Sequence, residues 1–139
     1  MAAYINVLIL GEFNQILLVK ERGRNEILPG KEFQKPSKWG MPGGVKEADE
    51  EEIDTALREA TEETGLFEEI EPGIRVEEDA GDHINVTLLG HPVGGKLKTS
   101  SSETMSCRWF PQKILWDGNF DIYSSHRRRA QRVLKKLRK

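Results

Sequence analysis

The feature that most constrains this chain is a run of glutamates spaced to lie on one side of a helix. In "LREATEETGL", residues 57–66, Glu59, Glu62 and Glu63 stand at i, i+3 and i+4, and such positions are neighbours on a helix surface. Like charges this close weaken an isolated helix. A divalent cation such as Mg²⁺ or Mn²⁺ reverses that penalty, because it prefers oxygen ligands. By itself the run favours a plainer interpretation, a solvated helix face, where exposed glutamate is the norm.

A longer pattern of fixed spacing decides between these interpretations. It runs through "GVKEADEEEIDTALREATEETGL", residues 44–66, and resembles the box of the Nudix hydrolases, G-x5-E-x7-R-E-U-x-E-E-x-G-U, where U is apolar. Every specified position matches, and chance agreement is on the order of one in ten million per chain. The matching residues are Gly44, Glu50, Arg58, Glu59, Ala60, Glu62, Glu63, Gly65 and Leu66.

The resemblance extends beyond the box, through "SKWGMPGG" ahead of it and "ETMSCRWF" and "SSHRRRAQRVLKKL" after it. It implies a single α/β domain over residues 1–139, an α/β/α sandwich around a mixed sheet. Members of the family use Mg²⁺ or Mn²⁺ to hydrolyse a nucleoside diphosphate linked to another group. The resemblance therefore implies a hydrolase with a small nucleotide substrate and more than one ion per site when the substrate is bound.

The resemblance also assigns roles to individual residues. It makes Glu59, Glu62 and Glu63 metal ligands, with the backbone carbonyl of Gly43 as a further ligand. It places a second set around them as supports, because an unsupported carboxylate cluster would not hold its geometry. That supporting set is Glu50, Arg58 and Gly44, and Arg58 is also counted among the catalytic residues.

Three further assignments stay open at this level. A general base must take the proton of the attacking water, and both Glu59 and Glu103 are candidates, with Glu103 slightly favoured. Arg22 and Arg24 are candidates for phosphate contact, since arginine binds phosphate oxygens well. Trp39 is a candidate for stacking on the substrate, although its place beside the Pro-Gly-Gly turn suits the core as well.

Apolar runs predict the strands of the sheet. Residues 4–10 and 15–20 are two β-rich runs joined by a short turn, and residues 83–93 and 104–110 are further strand candidates. Residues 21–38 are rich in Arg, Lys, Gly and Pro, so we expect a long loop there, and long loops are often functional.

Two helices are expected. Asp49 is the expected N-cap of the first, with Glu52 in capping-box position, and Gly65 ends it. We expect its carboxylates to lie on the side away from its buried stripe. The basic C-terminal segment predicts a second, amphipathic helix with a serine as its cap. The buried residues are predicted to be Ile53, Ala56, Leu57, Ala60 and Thr64 in the first helix, and Ala130, Val133, Leu134 and Leu137 in the second.

Charge and cysteine content bear on partners and location. Residues 126–139 hold eight Lys or Arg and no acid; nucleic acid is not the expected partner, and this basic segment is the one place where it could bind. Cys107 is the only cysteine, which suits a reducing, cytoplasmic location. No apolar run is long enough to span a membrane. A homodimer is a further expectation from the resemblance.

Four functions remain in order of preference. The first is hydrolysis of ADP-ribose or a nucleotide sugar, and the second is pyrophosphohydrolysis of damaged nucleoside triphosphates. The third is processing of RNA 5′ ends, ranked lower because relatives with that activity more often carry Gln or Lys in the turn where this chain has "PGG". The fourth is a module that binds a nucleotide without catalysis, which the intact set of box glutamates disfavours. His83 and His126 tempt a catalytic interpretation, but neither has a partner identifiable from the sequence.

Overall fold

The computed structural model describes the backbone of residues 2–21, 24–28, 31–35, 37–98 and 104–139, and the side chains of residues 2–20, 37–98 and 106–139. Nine strands and two α-helices occupy these ranges. The strands are β1 (Ala2–Leu10), β2 (Gln15–Glu21), β3 (Arg24–Leu28), β4 (Lys31–Lys35), β5 (Trp39–Gly40), β6 (Gly43–Val45), β7 (Leu66–Asp79), β8 (His83–Gly95) and β9 (Thr104–Pro111), and the helices are α1 (Glu52–Thr64) and α2 (Ser124–Leu137).

Seven strands form one mixed sheet. Its main path is β5-β2-β1-β8-β7, with β6 paired to β1 and β9 paired to β2. β1 and β8 run parallel, with Tyr4 opposite Asn85 and Asn6 opposite Thr87, and the other pairings are antiparallel. β1 pairs with β2 only near residues 9–10 and with β6 at residues 4–6. The short strand that begins the box is thereby fixed against the centre of the sheet.

One helix covers each face of this sheet. Ala56 and Ala60 of α1 pack with Ile5, Val7 and other sheet residues in one buried cluster. Ala130, Val133 and Leu134 of α2 belong to a second cluster, which includes Leu8, Ile16 and Leu89. Alternate residues of β1 thus face opposite helices, as the period of two in a strand requires. The predicted α/β/α sandwich with a mixed sheet is confirmed.

Helix α1 begins later than the sequence analysis predicted. Its N-cap is Glu51, whose side chain accepts from the backbone N–H of Asp54 while the Asp54 side chain accepts from the N–H of Glu51. The prediction of Asp49 as N-cap is therefore wrong. The helix ends as predicted at Gly65, whose φ of 82° is left-handed, a conformation that glycine adopts without strain.

The buried face of α1 is also rotated from the prediction. Thr55, Ala56, Ala60 and Thr64 are buried, whereas Ile53 is 50% exposed and Leu57 is half-buried. The prediction was therefore wrong about Ile53. Because the sheet contacts the row 56, 60, 64, the neighbouring positions 59 and 63 flank the buried face. The expectation that Glu59, Glu62 and Glu63 all lie away from the buried face is therefore wrong for Glu59 and Glu63.

The expected loop over residues 21–38 contains regular structure. β3 and β4 pair as an antiparallel hairpin, with Arg24 opposite Lys35 and Leu28 opposite Lys31. The prediction rested on the Arg, Lys, Gly and Pro content of this segment, a composition that is typical of loops. A two-stranded ladder is stabilised by backbone pairing, so it tolerates side chains that a core strand would not.

The C-terminal helix is amphipathic as predicted, but a serine does not cap it. Ser124 is its first residue and Tyr123 is the N-cap, which makes no side-chain capping bond. Part of its basic face is already paired, because Arg128, Arg129 and Arg132 all contact Glu78 of β7 at 2.9–3.1 Å. Nucleic-acid contact through this helix stays a prediction. Among the residues described, no helix has the length and apolar character needed to cross a membrane.

Glu68 in β7 is an exception to the pairing of buried charge. It is 8% exposed, and neither of its carboxyl oxygens has a hydrogen-bond partner in the part of the chain that the structure describes. Burial raises the pKa of Glu68 from 4.5 to about 7, against the opposing effect of His91. The folded protein therefore holds a proton here that the unfolded chain releases at lower pH.

This difference predicts a pH-dependent stability. Between about pH 4.5 and 7 the unfolded state binds fewer protons than the folded state, so the free energy of unfolding falls as pH rises. At roughly 1.4 kcal/mol per pKa unit, the loss approaches about 3 kcal/mol. We expect Glu68→Gln to remove this pH-dependent loss. Urea titrations should then show the free energy of unfolding of the variant rising relative to that of the wild type by about 3 kcal/mol between pH 5 and pH 8. Parallel pH profiles of the two proteins would contradict this.

Candidate functional site

The glutamates of α1 converge on the first residues of the box. The backbone N–H of Gly43 donates to Glu63 Oε2 at 2.9 Å. A Cβ atom added at Gly44 would lie 2.2 Å from Glu59 Oε1, so the Glu59 carboxylate rests directly against that backbone. The side chain of Glu59 is 17% exposed, whereas that of Glu62 is 59% exposed. Two carboxylates thus line the junction between α1 and β6, and the third stands at its solvent side.

Arg58 ties the segment before α1 to the glutamates on it. Its Nε and Nη2 donate to the two carboxylate oxygens of Glu50 at 2.8 and 2.9 Å, a bidentate pair, and its Nη1 donates to Glu59 Oε1 at 2.8 Å. Glu50 also accepts from the Thr55 hydroxyl and the Glu47 backbone N–H. A forked guanidinium is suited to hold two carboxylates at once, which a lysine ammonium cannot do with the same geometry.

The pKa values of Glu50 and Glu59 are shifted in opposite directions. Hydrogen bonding by Arg58 holds the pKa of Glu50 at about 2, so Glu50 is a fixed anion. Burial raises the pKa of Glu59, and the nearby charge of Glu62 adds to the rise, against the lowering effect of Arg58. The negative charge of Glu59 is therefore less well stabilised by its surroundings than the negative charge of Glu50. A cation at this position would relieve the repulsion between Glu59 and Glu62.

The donor chemistry of the junction fits a hard divalent cation. Glu59, Glu62 and Glu63 supply carboxylate oxygens, the ligand type that Mg²⁺ and Mn²⁺ prefer. Among the described residues, however, no three His, Cys, Asp or Glu side chains already stand as a preassembled metal group. The carboxylates are held by Arg58 and by the backbone of Gly43 instead, so the arrangement has the right ligand types without a closed coordination shell.

A buried polar network supports the turn that leads into β6. Asn85 Nδ2 donates to Asn6 Oδ1 at 2.9 Å, and the Thr87 hydroxyl contacts Asn85 Oδ1 at 3.3 Å. The Pro42 carbonyl accepts from the Val7 backbone N–H at 3.0 Å and from Asn6 Nδ2 at 3.5 Å. All three polar side chains are at most 1% exposed. Fully satisfied networks of this kind fix a single arrangement, here that of the turn before Gly43.

A cavity of about 190 Å³ opens beside this turn, next to the start of α2. Its polar contact to the turn is a 2.8 Å hydrogen bond from the Met41 backbone N–H to His126 Nδ1. The Tyr123 and His126 rings lie 5.5 Å apart at one wall. Burial lowers the pKa of His126 to about 4, and the charge of Arg129 adds to the effect. The lining includes Tyr4, Val19, Gly40, Met41, Tyr123 and His126.

The remaining predicted site residues are placed as follows. Trp39 packs edge-on against Phe110 at 4.8 Å, with the Lys20 ammonium 5.9 Å from its ring centroid, so its indole is part of the α2-side packing. The side chains of Arg22, Arg24 and Glu103 lie outside the described residues. Their assignments to phosphate contact and to the general base stay predictions, as does substrate stacking by Trp39.

The sequence analysis missed several residues that shape the site. Asn6, Asn85 and Tyr4 lie in apolar strand runs, and Thr55 lies near the start of α1. Tyr123 stands far from the box in sequence. His126 was considered without a partner, and the structure supplies one in the Met41 backbone N–H. The polar residues inside otherwise apolar strands were the available signal, because a buried amide needs partners.

Comparison with known proteins agrees with this arrangement. The model of the NUDIX domain family matches residues 2–132. Human 8-oxo-dGDP phosphatase NUDT18 is 31% identical over 109 residues, which are 76% of this chain and 31% of that protein. An RNA pyrophosphohydrolase of Brucella anthropi is 33% identical over 96 residues, 68% of this chain and 52% of that protein. The chain thus spans between about a third and half of these relatives.

Solved structures show the same fold at lower identity. An ADP-ribose pyrophosphatase from Streptococcus suis superposes with a TM-score of 0.70 at 20% identity, covering 99% of this chain and 92% of that one. A NUDIX hydrolase from Nitrosomonas europaea superposes with a TM-score of 0.72 at 18% identity, covering 96% and 88%. Both similarities concern the course of the backbone.

Proposed function

This chain belongs to the NUDIX domain family, and on that premise we propose that it hydrolyses the pyrophosphate bond of a nucleoside diphosphate linked to another group. The observation that carries the proposal is the junction of α1 and β6, where Glu59 and Glu63 rest against Gly44 and Gly43. The box residues are complete there, and they are braced as an acidic site requires. A module that only binds nucleotides has no need of that bracing.

The junction is proposed to take Mg²⁺ or Mn²⁺, held by Glu59, Glu62, Glu63 and the carbonyl of Gly43. When bound, such ions neutralise the charge of the pyrophosphate and lower the pKa of a bound water. The role of the chain is to keep the carboxylates in place against their mutual repulsion. Arg58 does this for Glu59, and Glu50 in turn fixes Arg58 through two hydrogen bonds.

Removal of the proton from the attacking water needs a general base. Glu59 is one candidate, because burial raises its pKa and makes it a stronger proton acceptor than Glu50. Glu103 is the other, and it lies beyond the described residues. The pH profile of Glu103→Gln separates them, because this variant keeps the proposed metal ligands and loses the acidic limb of activity only if Glu103 is the base.

Three substrate classes follow from the residues and the relatives. ADP-ribose and nucleotide sugars were the first expectation from the sequence. The similarity to an 8-oxo-dGDP phosphatase favours nucleotides with a free diphosphate or triphosphate end, and the similarity to an RNA pyrophosphohydrolase favours RNA 5′ ends. The basic face of α2 supports the RNA candidate only in part, because three of its arginines share Glu78. A cytoplasmic location and a homodimer stay predictions.

A substrate panel with and without a chelator tests the proposal. It contains ADP-ribose, a nucleotide sugar, guanosine and adenosine diphosphates and triphosphates with their 8-oxoguanine counterparts, and an RNA with a 5′ triphosphate. We expect at least one of them to be cleaved at a phosphoric anhydride in the presence of Mg²⁺ or Mn²⁺, and the reaction to stop with excess chelator. Absence of metal-dependent cleavage across the whole panel would leave nucleotide binding as the remaining function.

A further inference from the structure

The solvent-facing side of α2 carries a row of cations. Arg128, Arg132 and Lys135, called the cation row below, stand at i, i+4 and i+7 and so share one side of the helix. All three are exposed. At 1.5 Å per residue the row extends over about 10 Å. Because the opposite side of α2 packs on the sheet, the cation row lies on the face of the molecule away from α1.

The positive charge of this row is only partly neutralised. Arg128, Arg129 and Arg132 converge on one carboxylate, that of Glu78, at nitrogen–oxygen distances of 2.9–3.1 Å. Hydrogen bonding by Arg128 holds the pKa of Glu78 at about 2, so this carboxylate is an anion at neutral pH. Three arginines and one glutamate leave two positive charges in surplus. Among the described residues, no other side-chain carboxylate forms an ion pair with α2.

The contact with Glu78 shows that the arginines are arranged to hold an oxyanion. A guanidinium fork binds a carboxylate and a phosphate in the same bidentate way. Arg128 makes such a pair with Glu78 through Nε and Nη2, both at 3.0 Å. Arg132 uses Nη1 alone, and its other two nitrogens have no hydrogen-bond partner in the described part of the chain. The arginines therefore keep donors for a further oxyanion.

An exposed tryptophan lies beside the C-terminal end of the same helix. Trp116 is 49% exposed, and the Arg138 guanidinium lies 5.7 Å from its ring centroid. Arg138 also donates to Gln112 Oε1 at 2.9 Å, which holds the end of the helix next to the ring. Surfaces that bind single strands combine cations along the backbone with aromatic rings on which the bases stack. Both elements are present here.

We propose that the cation row and Trp116 form a binding surface for single-stranded nucleic acid, separate from the carboxylates of α1. The cation row contacts phosphates, and Trp116 stacks on an unpaired base. A duplex is a poorer match, because its bases are already stacked on one another. A lipid surface is also a poorer match, because the apolar side of α2 is buried against the sheet and is not free to enter a membrane. Cations and one ring do not distinguish the two sugars, so RNA and DNA strands are equivalent ligands.

The experiment is fluorescence anisotropy with a single-stranded dodecamer of mixed sequence, labelled at the 3′ end and carrying a 5′ hydroxyl, as RNA and as DNA. We expect the double variant Arg132→Gln/Lys135→Gln to bind both about 10-fold more weakly than the wild type. Loss of two phosphate contacts should also lower the slope of log affinity against log salt by about 1.4. Trp116→Ala should weaken single-strand binding about 10-fold and leave binding of the matching duplex unchanged.

A charge-matched control separates this surface from the overall charge. Lys46→Gln/Lys96→Gln makes the same change in net charge at two lysines near the ends of α1. It should bind the dodecamer within about twofold of the wild type. An equal loss of affinity in this control, or a wild type that prefers the duplex, would overturn the proposal.

Glu78→Gln is expected to act in the opposite direction. It raises the surplus on the three arginines from two to three positive charges and releases their donors, so the variant should bind the dodecamer several-fold more tightly than the wild type. Unchanged or weaker binding would mean that the arginines serve only to hold α2 on β7. Thermal unfolding of each variant confirms that folded proteins are compared.

The probe also keeps this inference independent of the proposed function, because a strand with a 5′ hydroxyl contains no phosphoric anhydride. Glu63→Gln should bind the dodecamer as the wild type does, since Glu63 lies on the α1 side of the sheet. A protein that hydrolyses a nucleotide but does not bind the dodecamer would refute the nucleic-acid surface alone. A protein that binds the dodecamer without metal-dependent hydrolysis would refute the proposed function alone.

Discussion

Glu63→Gln is expected to abolish nearly all metal-dependent hydrolysis while leaving the fold in place. The substituted amide keeps an oxygen that accepts from the Gly43 N–H, which Glu63 Oε2 now does at 2.9 Å. It removes one negative charge from the proposed ligand set and so weakens the attraction for a divalent cation. Charge stabilisation at the reacting centre is worth roughly two to three orders of magnitude for a single group, so we expect a loss of at least that size in kcat. The measurement is steady-state hydrolysis of the best substrate of the panel over a range of Mg²⁺ concentrations.

The matched control is Glu69→Gln, which makes the same chemical change at an exposed glutamate of β7. Its activity should stay within about twofold of the wild type, since surface substitutions have small effects. Glu63→Gln should unfold within a few degrees of the wild type, because no core contact is lost. A variant that keeps near-normal kcat would refute the assignment of Glu63 as a metal ligand. A variant that melts much earlier would show instead that Glu63 stabilises the turn.

The order of the elements was largely predictable because local patterns carried it. The glycine that ends α1 and the apolar runs of β1, β2, β8 and β9 act over a few residues. The box added a long-range constraint, since its fixed spacing implies that the helix and the preceding turn meet. In the structure the two do meet, through the contact of Glu63 with Gly43 and of Arg58 with Glu50.

The contacts that pattern analysis could not supply join residues far apart in sequence. Met41 meets His126 across 85 positions, and Asn6 meets Asn85 across 79. Nothing local in the chain encodes either contact, because each depends on which strands become neighbours in the sheet. The same limit explains the exposed Ile53: helical periodicity identifies a face, but the sheet decides which side of that face is buried. Polar groups that complete a site are therefore the last part to be predicted.

Gly44→Ala is expected to separate activity from stability at the same junction. The new methyl carbon would lie 2.2 Å from Glu59 Oε1 and 2.3 Å from its Cδ, so the carboxylate must move. Because the displaced atoms are the end of a flexible side chain, the fold accommodates the change at small cost. The Arg58 contact and the position of Glu59 are lost together, and a displacement of about 1 Å at a catalytic group can lower the rate about 100-fold.

The control is Gly118→Ala, where a Cβ atom would meet nothing within 4 Å. It should leave both kcat and the thermal unfolding temperature near the wild-type values. For Gly44→Ala we expect a fall of about 100-fold in kcat/KM with an unfolding temperature close to that of the control. If activity survives instead, the position of Glu59 against the Gly44 backbone has no part in the reaction. That outcome would leave Glu62 and Glu63 as the carboxylates on which hydrolysis depends.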